Sequence, residues 1–205
     1  MPTKLRLRNL FKRRLIILPL SKLFYKIKLK PNHITVFMLI CSILASSFLI
    51  FFNSFILFSI FIFLTMILDG VDGTLARISN QVTSFGGFFD STLDRVSEFF
   101  IYITFYFFGF SFFIFGKSLY KILVLIILLS SYFTSYLRSK IGNLMKIDTD
   151  IGLFGRSERL FLVFIITLFL NSYIFSFGII LLSIGTVLTS LFRFFKYSKY
   201  IKEIR

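Results

Sequence analysis

The stretch that decides the fold is ITVFMLICSILASSFLIFF, residues 34–52, which is almost entirely apolar and carries no charged side chain. A helix that crosses a bilayer needs about 20 such residues. Five further apolar runs follow, separated by polar or glycine-containing breaks. They begin near residue 55 and then cover roughly residues 85–115, 119–140, 156–170 and 173–195. The chain is therefore predicted to be an all-α integral membrane protein with six transmembrane helices.

The amino-acid composition independently favours a bilayer environment. Of the 205 residues, 57% are hydrophobic, whereas soluble domains average about 45–50% apolar residues. Six spans occupy most of the chain, so we expect one domain over residues 1–205, with the helical bundle at 33–195 and no separate soluble catalytic domain. Cys41 is the one cysteine and His33 the one histidine. This excludes disulfide frameworks and cysteine-based zinc sites and disfavours histidine-rich metal sites.

The N-terminal segment, residues 1–32, is strongly basic. It holds ten of the 24 Lys and Arg residues and no acid, and its bases alternate with Leu, Ile and Phe at helical spacing. This pattern predicts an amphipathic helix in the membrane interface, against anionic lipid. Membrane lipid is thus the expected partner rather than nucleic acid, because no groove-reading motif is present. A cleaved signal peptide is not expected either, since the run at 34–52 exceeds the usual 7–15-residue apolar core.

The basic residues outside the spans indicate the orientation in the membrane. Most lie on one side with the N-terminal segment, the loop between the fourth and fifth spans, and the basic tail at 196–205, whereas Lys117 and Lys121 lie on the other side. By the positive-inside rule, both termini and the charged loops should face the cytoplasm. We therefore expect an integral cell-membrane protein whose charged, chemically active face is cytoplasmic.

Four of the nine acidic residues lie close together, in DGVDGTLARISNQVTSFGGFFDSTLD, residues 69–94. They are Asp69 and Asp72, three residues apart, and Asp90 and Asp94, four residues apart, so each pair shares one face of its helix. An antiparallel pairing of the second and third spans would bring all four together. A carboxylate at membrane depth is costly, which makes this cluster the expected functional site.

The chemistry of the cluster points to divalent metal ions. Four neighbouring carboxylates repel one another unless cations offset their charge. An all-oxygen site suits Mg²⁺, Mn²⁺ or Ca²⁺, and four carboxylates suffice for two ions, an arrangement that clamps a phosphoryl group under attack. Gly73 and Gly86 would allow close approach to the backbone.

The four aspartates allow two other interpretations. The acids could merely form ion pairs with Arg77, Arg95 and other cytoplasmic bases. Ion pairing alone predicts scattered Asp and Glu residues, whereas this cluster contains only Asp. A cation or proton transporter could also place carboxylates between helices. No second acidic cluster continues a path across the membrane, however, so the transporter is the less favoured class.

The same stretch resembles the signature of the CDP-alcohol phosphotransferase (CDP-alcohol phosphatidyltransferase) family. It matches the pattern D-x-x-D-G-x-x-A-R, eight residues, G-x-x-x-D-x-x-x-D without a gap, from Asp69 to Asp94. The resemblance implies a homodimer in which two Mg²⁺ ions, or Mn²⁺, are held by Asp69, Asp72 and Asp90 and by Asp69, Asp90 and Asp94. It also implies that Asp94 is the general base.

The resemblance further implies a reaction and a donor site. A phosphatidyl-type group would pass from a CDP-linked lipid, carrying diacylglycerol or archaeol, to the hydroxyl of a polar alcohol, releasing CMP. The residues implied for binding the cytidine diphosphate part of the donor are Pro31, Asn32, His33, Ile34, Gly73, Arg77 and Thr83. The segment PNHIT, residues 31–35, has an alternative interpretation as a plain helix start with Asn32 as its N-cap.

The acceptor is predicted from basic residues in the cytoplasmic half. Gly152, Arg156, Glu158 and Arg159 resemble the subgroup that makes inositol phospholipids from inositol 1-phosphate, and arginine forks suit phosphate. The alternative is that these bases are positive-inside anchors, and glycerol 3-phosphate, serine or another inositol compound stay open as acceptors. The residues implied for binding the acceptor phosphate are Arg138, Arg156, Arg159 and Arg193. Lys140 is the alternative to Arg138 as the basic residue at the end of the fourth span.

Overall fold

The computed structural model describes residues 16–108, 113–144, 152, 154–169 and 171–203. Residues 1–15 of the predicted interfacial segment, most of the loop at 145–153 and residues 204–205 of the basic tail lie outside this part. Within it the chain is helical throughout, which confirms the predicted all-α class. The helices are α1 (Leu18–Lys26), α2 (Pro31–Phe52), α3 (Phe55–Ile78), α4 (Ser84–Phe108), α5 (Lys117–Leu144), α6 (Arg156–Leu168) and α7 (Ser172–Glu203).

Among the described helices, α2, α3, α5 and α7 have the length and composition of membrane spans. Helix α4 is long enough, but each 18-residue window within it contains Asp94, Arg95 and Glu98, more charge than a lipid-facing span carries. Helix α6 has 13 residues, which at 1.5 Å per residue gives about 20 Å, against about 30 Å of hydrocarbon. Four spans are therefore supported, and the six-span count stays a prediction.

The break between the first two spans follows from local backbone chemistry. Asn53 ends α2 in the left-handed conformation (φ 49°), and its N–H donates to the carbonyl of Leu49. Ser54 then caps α3, its hydroxyl accepting a hydrogen bond from the N–H of Leu57 at 3.4 Å. Asparagine tolerates the left-handed region and serine is a preferred N-cap, so two residues suffice to end one helix and begin the next.

The chain forms two compact units, Met1–Ile101 and Tyr102–Arg205. In the first, α2 packs along α3. Helix α1 packs on α3 through Leu20 and Phe24, which lie against a core of Ile17, Ile34, Val71 and Leu75. Gly70 allows a close contact with Ile17, the residue just before α1, because a Cβ at Gly70 would lie 2.5 Å from Cδ1 of Ile17. The N-terminal helix thus supports the part of α3 that carries the first two aspartates.

In the second unit, α7 packs against α5 and α6 through small and hydroxyl-bearing residues. Ser130 of α5 donates to Thr186 of α7 at 2.8 Å. A Cβ at Gly178 would lie 2.2 Å from Ile166 of α6, and one at Gly185 would lie 2.7 Å from the ring of Phe154. Small residues allow this close approach and are typical of membrane helix interfaces. They bring α6, and the residues before it, onto the face of α7.

Candidate active site

Three of the four predicted aspartates lie together in the first unit. Oxygens of Asp69 on α3 and of Asp90 and Asp94 on α4 all lie within 4.8 Å of one another. Each of the three side chains is partly exposed. The cluster therefore has both the oxygen ligands and the access that a divalent ion requires.

The connection between α3 and α4 places these carboxylates side by side. Asn80 adopts a left-handed conformation (φ 54°), and the N–H of Gln81 donates to the carbonyl of Ala76 at 2.8 Å, which closes the end of α3. Thr83 then caps α4, its hydroxyl accepting from the N–H of Gly86 at 2.9 Å. Thr83, predicted to contact the donor, thus has a clear structural role as an N-cap.

The fourth aspartate, Asp72, stands beside the cluster rather than within it. Its side chain is 4% exposed, its Oδ2 accepts a hydrogen bond from the hydroxyl of Thr35 at 3.1 Å, and its Oδ1 accepts from the N–H of Gly73. The carboxylates of Asp90 and Asp69 are near enough to repel the Asp72 carboxylate electrostatically. The structure thus groups three aspartates, and the assignment of Asp72 to one of two ions stays a prediction.

The residues present fit a divalent cation. The site is built from carboxylate oxygens, the ligands that Mg²⁺, Mn²⁺ and Ca²⁺ prefer. A guanidinium nitrogen of Arg95 lies 3.9 Å from Oδ2 of Asp94, longer than the 2.7–2.9 Å of a strong charge-assisted hydrogen bond. Three neighbouring carboxylates repel one another, and a bound cation would offset that repulsion directly.

The start of α2 approaches the start of α4. A Cβ at Gly86 would lie 3.5 Å from Oδ1 of Asn32, so the predicted donor segment is close to the helix that carries Asp90. The alternative prediction of an Asn32 cap is wrong, because the helix begins at Pro31 and Lys30 holds the cap position without a side-chain hydrogen bond. A proline favours the first helical position because its missing N–H costs nothing there, which moves the helix start ahead of Asn32.

The remaining predicted donor residues lie on two helices, Gly73 and Arg77 on α3 and His33 and Ile34 on α2. Gly73 and Arg77 are one turn apart on α3, and Nη2 of Arg77 lies 3.5 Å from where a Gly73 Cβ would be. His33 is exposed, whereas Ile34 is fully buried in the core under α1. A donor-binding role for the Ile34 side chain therefore does not fit the structure, because that side chain anchors the helix instead.

Two of the four predicted acceptor arginines are buried in the second unit. Arg159 is 1% exposed and Arg193 is 3% exposed. Arg159 Nη1 donates to the carbonyl of Phe154 at 3.3 Å, and Arg193 Nη1 donates to the carbonyl of Thr134 at 3.0 Å. A positive-inside anchor keeps its charged group in water, so burial argues against that alternative for these two residues.

Backbone around Gly152 and Phe154 lies next to both buried arginines. Gly152 is in the left-handed region (φ 107°), and a Cβ there would lie 3.6 Å from Nε of Arg193. The N–H of Phe154 donates to Thr189 of α7 at 3.1 Å, while its carbonyl accepts from Arg159. Arg156 is partly buried, and Arg138 and Lys140 are both exposed on α5. Exposure therefore does not show which of Arg138 and Lys140 is the better candidate for contacting the acceptor phosphate.

Comparisons with known proteins identify the family. Residues 28–191 match the family model for CDP-alcohol phosphatidyltransferase. The chain is 30% identical over 154 residues to archaetidylinositol phosphate synthase of Pyrococcus horikoshii, covering 73% of this chain and 75% of the relative.

Solved structures of a bacterial enzyme share the fold. The crystal structure of Mycobacterium tuberculosis phosphatidylinositol phosphate synthase with CDP-DAG bound is 23% identical, with a TM-score of 0.75, and the match covers 89% of this chain and 93% of that one. A second structure of that enzyme, in complex with manganese and citrate, has the same TM-score and identity and covers 87% of each chain. The chain, with its apolar helices and clustered aspartates, belongs to the CDP-alcohol phosphatidyltransferase family and is a membrane-bound transferase.

Proposed function

We propose that the protein transfers a phosphatidyl-type group from a CDP-linked lipid to a hydroxyl of inositol 1-phosphate, releasing CMP. The observation that carries this proposal is the cluster of Asp69, Asp90 and Asp94 in a chain of this family. The names of the inositol phosphate-forming relatives support the acceptor class. The lipid is diacylglycerol or archaeol, and glycerol 3-phosphate, serine or another inositol compound are the alternative acceptors.

The chain's own groups divide the chemistry between them. Two divalent ions, Mg²⁺ or Mn²⁺, held by the four aspartates would neutralise the donor diphosphate. Asp94 takes the proton from the acceptor hydroxyl. The acceptor oxygen then bonds to the phosphorus that carries the lipid, and the bond from that phosphorus to the CMP oxygen breaks.

Separate groups would hold the two substrates. Gly73 and Arg77 offer a bare backbone and a guanidinium beside the aspartates, and Asn32 lies near Gly86 at the start of α4. These features suit the cytidine diphosphate part of the donor. The buried Arg159 and Arg193, with Arg156 and Arg138, would bind the acceptor phosphate, because guanidinium forks match phosphate geometry.

The membrane arrangement completes the proposal. Six spans would follow an interfacial N-terminal segment whose described part, α1, exposes Lys22 and Lys26. Both termini and the active site would face the cytoplasm, where CDP-linked donors and polar acceptors occur. The protein would act as a homodimer, as the family resemblance implies.

One assay tests the reaction and its sidedness together. Sealed inside-out membrane vesicles containing the protein are given a CDP-lipid, Mg²⁺ and one acceptor at a time. We expect CMP release and a new phospholipid, fastest with inositol 1-phosphate. Right-side-out vesicles should stay inactive until they are permeabilised, because the acceptor and Mg²⁺ cannot cross the bilayer.

The controls of this assay separate the parts of the proposal. Faster reaction with glycerol 3-phosphate or serine would replace the acceptor and keep the reaction class. Activity confined to intact right-side-out vesicles would reverse the orientation. No CMP release with any acceptor in permeabilised membranes would contradict the proposed function.

A second prediction concerns the donor surface at Gly73. Alanine fits there, since its Cβ would make an ordinary 3.5 Å contact with Arg77, and Gly-to-Ala changes inside helices stabilise by about 0.5–1 kcal/mol. If the donor lies against this backbone, Gly73→Ala should raise the KM for CDP-lipid about tenfold without lowering the melting temperature. Gly87→Ala, at a position with nothing within 4 Å, is the matched control. An unchanged donor KM in Gly73→Ala would remove Gly73 from the donor site.

A further inference from the structure

The hydrogen bond between Thr35 and Asp72 joins two helices at the edge of the carboxylate cluster. Thr35 lies on α2, five residues into the helix, and Asp72 lies near the end of α3. Both side chains are buried, with Thr35 2% exposed. A buried carboxylate requires hydrogen-bond donors, because its desolvation is otherwise uncompensated. The Thr35 hydroxyl supplies one of them from a separate helix.

The geometry fixes the threonine as well as the aspartate. The Thr35 hydroxyl lies 3.1 Å from Oδ2 of Asp72 and 3.3 Å from the carbonyl of Pro31 in its own helix. The hydroxyl has one hydrogen to donate, and Asp72 is the nearer of the two acceptors and the charged one. A threonine in a helix has two main rotamers, and the one found here directs the hydroxyl to Asp72. With Oδ1 of Asp72 accepting from Gly73, both carboxylate oxygens have a fixed donor, and each retains a lone pair for a metal.

We infer that Thr35 is a positioning residue for the metal centre: its hydroxyl holds the Asp72 carboxylate in the orientation in which it serves as a ligand. The inference rests on the proposed metal-dependent function. Groups that orient metal ligands from outside the coordination shell typically change metal affinity or activity 10–100-fold when removed. The position also links the ion site to the turn at Pro31–Asn32, which is proposed to meet the donor.

The test is a Mn²⁺ titration of the purified protein, followed by the electron paramagnetic resonance signal of free Mn²⁺. Thr35→Val keeps the shape of the side chain and removes the hydroxyl, and should weaken the affinity for at least one Mn²⁺ about 10–100-fold. Thr35→Ser keeps the hydroxyl and should retain an affinity near that of the wild type. Raising the Mn²⁺ concentration should restore the CMP release rate of Thr35→Val, because the defect is in metal binding.

Ser46→Ala is the matched control for helix packing. Ser46 lies three turns along α2 and donates to the carbonyl of Phe100 on α4 at 3.1 Å, so its loss also removes an interhelical hydrogen bond. The Mn²⁺ affinity of the Ser46→Ala variant should equal that of the wild type. If Thr35→Val yields no folded protein, Thr35→Ala provides the same measurement.

The outcomes distinguish the inference from the proposed function. Equal Mn²⁺ affinity in wild type and Thr35→Val, or the same loss in Ser46→Ala, would overturn the role of Thr35 while leaving the metal site intact. Absence of Mn²⁺ binding by the wild type would overturn the metal site and the role of Thr35 with it.

Discussion

Replacing Asp90 by asparagine is expected to reduce CMP release by about three orders of magnitude. Asp90 belongs to the described cluster and to both proposed ion sites, and metal-ion catalysis contributes several kcal/mol, at about 1.4 kcal/mol per factor of ten in rate. Asp69→Asn and Asp94→Asn should behave similarly. The measurement is the steady-state rate of CMP release at saturating donor, acceptor and Mg²⁺.

Stability distinguishes this effect from misfolding. Without a metal, three carboxylates within 4.8 Å repel one another, so removing one charge should leave the protein at least as stable in chelator as the wild type. We therefore expect Asp90→Asn to be inactive, with an unchanged or raised melting temperature in the absence of divalent ions. Activity within tenfold of wild type would exclude Asp90 from the catalytic centre.

Replacing Arg193 by glutamine is expected to raise the KM for inositol 1-phosphate about 10- to 150-fold. A hydrogen bond to a charged group contributes about 1.5–3 kcal/mol, and about 1.4 kcal/mol corresponds to a factor of ten. The KM for the CDP-lipid should change little, because the donor is assigned to other residues. The measurement is the KM of each substrate, determined separately for the purified variant.

Because Arg193 is buried and donates to Thr134, the variant needs a control for general damage. The wild type should prefer inositol 1-phosphate to uncharged myo-inositol, and Arg193→Gln should lose most of this preference. A purely structural arginine would reduce activity toward both acceptors equally and leave their ratio intact. Arg138→Gln, at an exposed position on α5, shows whether an arginine outside the buried pair contributes.

Sequence patterns alone predicted the helical class and much of the carboxylate site. The apolar run at 34–52 and the Asn53–Ser54 break correspond closely to α2 and to the start of α3. The 3- and 4-residue spacings predict that all four aspartates meet on the facing sides of two helices joined by a short turn, and Asp69, Asp90 and Asp94 do so. Spacing is sufficient there because the α3–α4 connection is short and well capped.

Other features depend on contacts between distant residues. No local sequence pattern indicates the role of Thr35, because its hydrogen bond to Asp72 joins residues 37 apart in the chain. Arg159 is buried, whereas Arg156 is only partly buried. This difference depends on how α6 packs on α7. Helix α4 combines a polar half, which carries Asp90 and Asp94, with an apolar half, so neither hydropathy nor charge count alone describes it.

If the aspartate cluster holds the divalent ions used for transfer, the purified protein must bind those ions in a defined number. Counting the Mn²⁺ ions bound per chain measures this directly. We predict two Mn²⁺ per wild-type chain at saturation, and a loss of binding in Asp90→Asn that parallels its loss of CMP release. Wild-type protein that releases CMP while binding no Mn²⁺, or Asp90→Asn that binds as many ions as the wild type, would show that the aspartates do not hold the ions used for transfer.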